Sequence, residues 1–239
     1  MSNKGRDIMI GLLAAAAGAA ATFAATTSGP AVRVTDKAAI EMIVRDYILE
    51  HPEILPQAME KLQDRETAKA VTANRKLIET PYAGAWEGNP NGDVVLVEFF
   101  DYACSYCRAS LPDIERLLKD DPKLKIVYRE MPVLGPDSVA AAELSLRVAK
   151  TGRYAAFHRA AYAARPDAAA REKLARQFGV DPKAKDAAVD AEISTNLQLQ
   201  NGLRLTGTPS WVVGDKVLAG AVGYDALKAA IAEVRAAKK

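Results

Sequence analysis

The hydrophobic pattern of the chain opens with an uncharged, alanine-rich run over residues 8–25, which follows Lys4 and Arg6. Small and turn-forming residues come next, at positions 26–30. A basic start, an apolar middle and a small-residue end are the three parts of a secretory signal peptide, so residues 1–25 are predicted to direct export. The alternative is an uncleaved membrane anchor, because about 18 apolar residues lie at the lower limit for spanning a bilayer.

Apolar residues then recur at helical spacing, which predicts a helical segment over residues 35–79. The apolar positions are Ile40, Ile43, Val44, Tyr47 and Ile48, followed by Leu55, Ala58, Met59 and Leu62. Thr35 is a suitable N-cap, and His51-Pro52 interrupts the run because proline disfavours a helical conformation in the residue before it. A segment of this size buries its own apolar stripe poorly. The stripe therefore packs against the following domain, or it joins copies of the chain through residues 36–65.

From residue 80 onward, turn-forming and then β-prone residues replace the helical periodicity. Residues 80–92 are rich in proline, glycine and asparagine, which predicts a linker. The run Val94–Phe100 is almost continuously β-prone, as expected for a strand buried on both faces. Helical periodicity over 108–120 and a second strand at 124–130 follow it. This β-α-β order predicts a parallel strand pair with a right-handed crossover.

The rest of the chain completes an α/β domain that we place at residues 93–238. Residues from about 137 to 200 are predicted to form a helical insertion. Two short strands at 210–213 and 216–219 then form a hairpin, and a final helix begins at Tyr224.

Composition narrows the class of protein. The 239 residues are 49% hydrophobic and 26% charged, which is near the globular average and excludes a disordered, fibrous or multi-span membrane protein. The 32 basic and 30 acidic side chains nearly cancel. A strongly basic surface is what nucleic-acid binding requires, so we expect no nucleic-acid partner.

The chain has two cysteines, Cys104 and Cys107, which lie at the junction of a predicted strand and helix. A zinc site needs about four ligands, and the histidines available are His51 and His158. A structural disulfide across so short a loop would constrain the unfolded chain little. The third interpretation is a redox pair, because the start of a helix stabilises a thiolate on Cys104 and leaves Cys107 to resolve a mixed disulfide.

The order of buried strand, Cys-x-x-Cys, helical insertion and Thr208-Pro209 before a hairpin resembles the DsbA-like disulfide oxidoreductases of the thioredoxin fold. The resemblance covers about residues 90–238. It implies that Cys104 is the nucleophile, that Cys107 is the resolving thiol and that the two form a redox-active disulfide. It also implies that Pro209 is cis and that the Thr208 backbone faces Cys104 and binds substrate. An ordinary trans turn is the alternative for Thr208-Pro209.

Glu98 is a carboxylate within the predicted buried strand, where an unpaired charge is costly. The family resemblance implies a buried acid at this offset, which assists proton transfer at the resolving thiol. The alternative is a solvated side chain at the domain edge. We expect a buried Glu98, because its neighbours are strand-core types.

Two further features bear on the type of activity. The residues between the cysteines are Ser105 and Tyr106, whereas strongly oxidising family members carry a histidine beside the second cysteine. We include Tyr106 among the substrate-binding residues.

The sequence from Ile43 to Leu55 resembles the extension found in the suppressor-of-copper-sensitivity group of periplasmic DsbA relatives. In some of those, the extension drives trimerisation and the assembled form is a disulfide isomerase.

The sequence therefore predicts a thioredoxin fold with a helical insertion, preceded by an N-terminal helical segment. We expect a periplasmic thiol-disulfide oxidoreductase of isomerase or reductase type, with a disulfide-donating oxidase as the alternative. A module that sequesters Cu(I) through its thiols is a third hypothesis. The expected partners are unfolded or misoxidised exported proteins, a membrane redox protein and further copies of the chain. We expect no metal or organic cofactor, because the dithiol carries the electrons.

Overall fold

The computed structural model describes residues 37–164 and 167–238. The predicted signal peptide or anchor and the Thr35 cap lie outside the described residues. Within these ranges, no helix combines the length and the apolar character needed to cross a bilayer. The chain divides into two compact units, one ending at Ala58 and the other beginning at Met59.

The first unit holds helix α1 (Lys37–Glu50) and the beginning of helix α2 (Ile54–Glu79). The predicted interruption is confirmed, because α1 ends directly before His51, whose N–H donates to the carbonyl of Tyr47 at 2.9 Å. No residue of α1 is buried. The exposed large apolar side chains of this unit are Met42, Ile43, Val44, Tyr47, Leu49 and Leu55.

The second unit is an α/β domain built on a five-stranded sheet in the order β1-β3-β2-β4-β5. The strands are β1 (Trp86–Gly88), β2 (Val94–Phe100), β3 (Leu124–Glu130), β4 (Ser210–Val213) and β5 (Lys216–Ala219). The remaining helices are α3 (Ser105–Asp120), α4 (Pro136–Ala149), α5 (Tyr154–Ala163), α6 (Ala168–Phe178), α7 (Ala187–Gly202) and α8 (Gly223–Ala237). The predicted parallel pair is confirmed, since β2 and β3 run parallel and are joined by α3.

Two apolar layers cover the sheet, one on each face. One layer packs α3, α8 and most of the helical insertion, which spans α4 to α7, against side chains such as Leu96 and Phe100. The other layer packs the end of α2 and α7 against side chains such as Val97 and Phe99. Because apolar side chains of β2 and β3 belong to both layers, hydrophobic residues occupy successive positions on each strand, as at Leu96-Val97 and Ile126-Val127.

The predicted linker at 80–92 requires a correction. It contains β1, which pairs antiparallel with β3, so the segment forms an edge of the sheet. The compact unit that contains the sheet begins at Met59, before the predicted domain start at residue 93. The physical reason is that Val71 and Ile78 of α2 are buried in the core layer of this unit.

Arg129 of β3 attaches the end of α2 to the sheet. Its buried guanidinium donates to the backbone carbonyls of Leu77, Ile78 and Thr80 and pairs with Glu192 of α7 at 2.6 Å. The last carbonyls of a helix lack partners within the helix and carry negative partial charge. The buried Arg129 guanidinium therefore supplies hydrogen-bond donors to these carbonyls and places a positive charge beside their negative partial charge.

Candidate active site

The turn between β2 and α3 is held by Asp101, a buried residue that the hydrophobic pattern of the chain does not single out. Its carboxylate accepts hydrogen bonds from the N–H groups of Ala103 at 2.8 Å, Val133 at 3.0 Å and Leu134 at 3.1 Å. Its carbonyl accepts the N–H of Cys104 at 3.0 Å. One side chain therefore fixes both the cysteine turn and the loop after β3. In the sequence, what indicates Asp101 is its position between a buried strand and the Cys-x-x-Cys motif.

Cys104 is the N-cap of α3, and its side chain makes no capping hydrogen bond. The first-turn N–H groups of α3 lie just beyond it, where the helix carries positive partial charge. Cys104 retains 7% of its surface exposed, whereas Cys107, one turn further along, retains 1%. This is the difference expected between an attacking and a resolving thiol.

Both cysteines carry free thiols, so the structure shows the dithiol form. Burial raises the pKa of Cys107 far above its ordinary value, and the nearby Glu98 raises it further. Cys107 therefore needs a proton acceptor before it can attack as a thiolate. The predicted disulfide between Cys104 and Cys107 remains a prediction.

The loop before β4 lies against Cys104. The Thr208-Pro209 peptide bond is cis, and the Sγ of Cys104 donates to the Thr208 carbonyl at 3.2 Å. The Pro209 carbonyl accepts the N–H of Gly220 at 2.8 Å, and the Ser210 hydroxyl donates to the carbonyl of Gly207 at 2.6 Å. These two hydrogen bonds hold the loop in place, with the Thr208 carbonyl against the thiol of Cys104.

Glu98 is fully buried in the middle of β2, so the solvated alternative is wrong. Its direct neighbours across the sheet are Tyr128 on β3 and Trp211 on β4. Their polar groups are used elsewhere, since Tyr128 donates to Glu87 and Trp211 donates to the Gly220 carbonyl. Among the residues that the structure describes, neither carboxyl oxygen of Glu98 has a hydrogen-bond partner, and burial raises its pKa well above the ordinary value. Its carboxyl group lies close enough to both thiols to interact with them electrostatically.

Tyr106 and His158 lie in contrasting environments, one exposed and the other buried. Tyr106 is 66% exposed on the first turn of α3, so its ring is available to a substrate chain. His158 is fully buried and forms a hydrogen bond with the Tyr102 hydroxyl at 3.0 Å. Burial lowers the pKa of His158 to about 3. Within residues 37–164 and 167–238, no three histidine, cysteine or acidic side chains converge as metal ligands.

Comparison with known families agrees with this geometry. A family model described as the DSBA-like thioredoxin domain matches residues 95–232, which is more than half of the chain. The chain belongs to the DSBA-like thioredoxin family. A second model, described as the copper resistance protein ScsC N-terminal domain, matches residues 36–69. No curated protein matches the chain.

Several solved structures resemble this DSBA-like protein. A linker-deletion mutant of Proteus mirabilis ScsC is 27% identical, with a TM-score of 0.71, and the alignment covers 87% of this chain and 99% of that one. A thioredoxin-like oxidoreductase from Silicibacter pomeroyi is 36% identical, with a TM-score of 0.61 and coverage of 66% and 95%. The thiol-disulfide exchange protein alpha-DsbA2 from Wolbachia pipientis is 27% identical, with a TM-score of 0.65 and coverage of 72% and 98%.

Proposed function

We propose that this DSBA-like protein is a periplasmic thiol-disulfide oxidoreductase of isomerase or reductase type that acts on protein disulfides. The observation that carries the proposal is the 3.2 Å contact between the Cys104 thiol and the Thr208 carbonyl. An extended substrate strand that pairs with the Thr208 backbone would place its own cysteine beside Cys104.

The chemistry begins at Cys104. Its thiolate attacks one sulfur of a substrate disulfide, a Cys104–substrate disulfide forms, and the other substrate sulfur leaves as a thiolate. In isomerisation, another substrate thiolate attacks the mixed disulfide and the Cys104 thiolate is returned. In reduction, the Cys107 thiolate attacks the Cys104 sulfur, a Cys104–Cys107 disulfide forms, and the substrate leaves reduced. A membrane redox protein then returns two electrons to the pair.

In this scheme, Glu98 accepts the proton of Cys107 and later returns it. Burial raises the pKa of both groups, so each binds a proton more strongly than it would in water. A side chain within reach of a reacting group can serve as its general acid or base. Ionised Glu98 accepts the proton when Cys107 attacks, and protonated Glu98 returns it when the Cys104–Cys107 disulfide is opened.

The isomerase assignment also rests on the exposed apolar stripe of residues 36–65. Isomerisation requires reduced active sites held near one misfolded substrate, and association of several copies would supply them. Ile43, Tyr47 and Leu62 are all more than half exposed, so the stripe is available for a partner helix. The ScsC N-terminal match covers the same segment. We therefore propose a homo-oligomer, with a trimer as the expected state.

Refolding of a scrambled, fully oxidised multi-disulfide protein tests the proposal. The full chain should recover the substrate's activity, and Cys104→Ser should abolish recovery. The variant Ile43→Glu/Tyr47→Glu should sediment as a monomer and lose isomerase activity while retaining reduction of a small disulfide. Full isomerase activity in the monomeric variant would contradict the role of the stripe, and failure of the wild-type chain would contradict the isomerase assignment.

A disulfide-donating oxidase is the second candidate, favoured by the position of Cys104 at the start of α3. This position stabilises a thiolate and hence the reduced form, which makes the disulfide more oxidising. The reduction potential of the Cys104–Cys107 pair decides between the two. A value near that of glutathione or below it supports the isomerase or reductase, and a much higher value supports the oxidase.

The Cu(I) hypothesis has its own measurement. Two thiolates are soft ligands that suit Cu(I), and the ScsC model carries a copper-resistance description. Titration of the reduced protein with Cu(I) against a competing chelator should show no tight site if the thiols serve redox exchange alone. Tight binding that disappears in Cys104→Ser would favour sequestration.

A further inference from the structure

The outer edge of strand β5 carries main-chain groups that the sheet does not use. Opposed residues of an antiparallel pair alternate between hydrogen-bonded and non-hydrogen-bonded positions. Directly after β5, the N–H of Gly220 donates to the carbonyl of Pro209 at 2.8 Å, which sets this alternation. Leu218 is therefore bonded to β4, whereas the N–H and C=O groups of Val217 and Ala219 point away from it. In the described part of the chain, these outward groups have no hydrogen-bond partner.

A cleft of about 700 Å³ runs along this edge and is lined by β5, by α2 and by the loop at 203–206. Its volume is typical of ligand sites. The lining positions of α2 are 60, 63, 64, 67 and 68, which is the spacing of one helical face. An uncovered strand edge can pair with another chain. Because α2 forms the other wall, the cleft admits a single extended chain rather than the edge of a second sheet.

The cleft is held open by a fixed attachment between α2 and the turn that joins β4 to β5. The guanidinium of Arg75 donates to the carbonyl of Gly214 at 3.0 Å and pairs with Asp215. The hydroxyl of Thr72 donates to the same carboxylate at 3.0 Å. Thr72 and Arg75 continue the helical face that lines the cleft. The wall and the strand edge therefore keep a defined separation.

The cleft carries an excess of negative charge. Glu60 and Asp64 line it from neighbouring turns of α2, and Arg204 lines it from the loop. The remaining charged lining residues, Asp215 and Lys216, have ion-pair partners of their own. The ion pairs within α2 use other residues, so Glu60 and Asp64 have no ion-pair partner among the described residues. A basic side chain of a bound chain would complement these two acids.

We propose that the cleft binds an extended, lysine- or arginine-bearing segment of the substrate polypeptide, which adds as a strand to the free edge of β5. In strand addition, main-chain hydrogen bonds supply affinity and alternate side chains supply specificity. The outward groups of Val217 and Ala219 provide the hydrogen bonds. Glu60 and Asp64 provide the preference for basic side chains.

The cleft adjoins the loop that contacts the nucleophile. Thr206 lines the cleft and lies two residues before Thr208, whose carbonyl contacts Cys104. Ala219 is in register with Ser210, which follows the cis proline. An unfolded substrate bound at Cys104 can therefore place a second segment in the cleft. The inference deepens the proposed function and rests on it only for the statement that the bound chain is a substrate.

The binding test uses the full chain and a blocked, cysteine-free peptide of alternating valine and lysine. Hydrogen exchange followed by NMR should show the amides of Val217 and Ala219 slowed about tenfold or more at saturation, because they enter hydrogen bonds. The Leu218 amide, already bonded to β4, should change little. N-methylation of one alternate set of peptide residues should abolish binding, and methylation of the other set should be tolerated. The glutamate counterpart of the peptide should bind more weakly.

Two pairs of variants separate the strand edge from the acids. Ala219→Pro removes an outward N–H without breaking the bonds to β4, and Ala219→Val is the matched control that keeps it. Glu60→Lys/Asp64→Lys should weaken binding of the lysine peptide about fivefold, as expected for exposed ion pairs. Glu66→Lys makes the same charge change on α2 outside the cleft and should have little effect. Because Glu60 and Asp64 are exposed, their variant keeps the test decisive if Ala219→Pro does not fold.

Equal peptide affinities in Ala219→Pro and Ala219→Val would overturn strand addition, and equal affinities for the lysine and glutamate peptides would overturn the preference for basic segments. Slow exchange of Val217 and Ala219 without peptide would show that the chain itself or a second copy already covers the edge, and would also overturn the proposal.

A kinetic series tests whether the bound chain is a substrate. In Ala219→Pro, the KM for reduction of an unfolded, lysine-rich disulfide protein should rise, and the KM for glutathione disulfide should stay constant. An unchanged KM for the protein substrate would overturn the assignment of the cleft to substrates. If the wild type binds the peptide but reduces neither disulfide, the proposed function fails and the binding site stands.

Discussion

The carbonyl oxygen of Thr208 lies 3.2 Å from the Sγ of Cys104, although 104 residues of sequence separate them. The contact directs the thiol of Cys104 toward the loop before β4, and Cys104 keeps 7% of its surface exposed. Cys107 lies within the first turn of α3 and has almost no exposed surface. Attack by substrate should therefore be confined to Cys104.

Substitution of the resolving thiol tests this asymmetry. When Cys107→Ser is incubated with a mixture of reduced and oxidised substrate, it should accumulate mixed disulfides. The reason is that no Cys107 thiolate is present to attack the Cys104–substrate disulfide. Cys104→Ser, the matched control, should accumulate none. Non-reducing electrophoresis followed by mass spectrometry measures both. Substrate adducts on Cys107 in the control would contradict the proposed order of attack.

Glu98→Gln should change the pH dependence of stability. Burial raises the pKa of Glu98 in the folded state above 4.5, the value expected when it is unfolded. Its favourable contribution is thus complete below pH 4.5 and is lost as the pH rises through the folded pKa. Each such group reduces the free energy of unfolding by up to about 1.4 kcal/mol per pH unit in that window. Urea unfolding at several pH values should show a flatter decline in Glu98→Gln.

His158 should act in the opposite direction. Burial lowers its pKa from 6.5 to about 3, so its contribution to stability is complete above pH 6.5 and is lost as the pH falls toward 3. His158→Gln cannot take up this proton. The variant should lose less stability than wild type between pH 6.5 and 3, whatever its stability at neutral pH. An equal loss of stability in the two proteins over this pH range would contradict a buried, neutral His158.

Arg129→Met should destabilise the second unit by about 3–5 kcal/mol, because it leaves Glu192 and the last carbonyls of α2 without their partner. Glu192→Gln is the matched control, since a glutamine oxygen still accepts from the guanidinium. It should cost much less. Urea unfolding of both variants provides the comparison, and equal losses would show that the carbonyls of α2 contribute little.

The parts predicted from sequence are those with a strong local pattern. The run Val94–Phe100 indicated a strand buried on both faces, and the position of Glu98 within it indicated a buried acid. The Cys-x-x-Cys placement at a helix start also followed from local order. These features depend on residues that are close in sequence, and the structure confirms their positions.

The parts that were missed depend on long-range pairing. Strand β1 has three residues and becomes a strand through its partner β3, so local composition indicated a linker instead. Asp101 and Glu130 read as ordinary polar residues at the ends of strands. Both are buried, and the Asp101 carboxylate is bound by N–H groups of Val133 and Leu134 in a loop more than 30 residues away, which no local pattern reveals.

The placement of Trp211 directly opposite Glu98 gives the protein an optical reporter of its own chemistry. Its indole is fully buried beside the redox layer, so its fluorescence responds to the charge that appears or disappears there. The other tryptophan, Trp86, belongs to the far edge strand and can be replaced by phenylalanine. Proton and electron movements at the two cysteines should then be followed in real time from the emission of a single residue, without any attached dye.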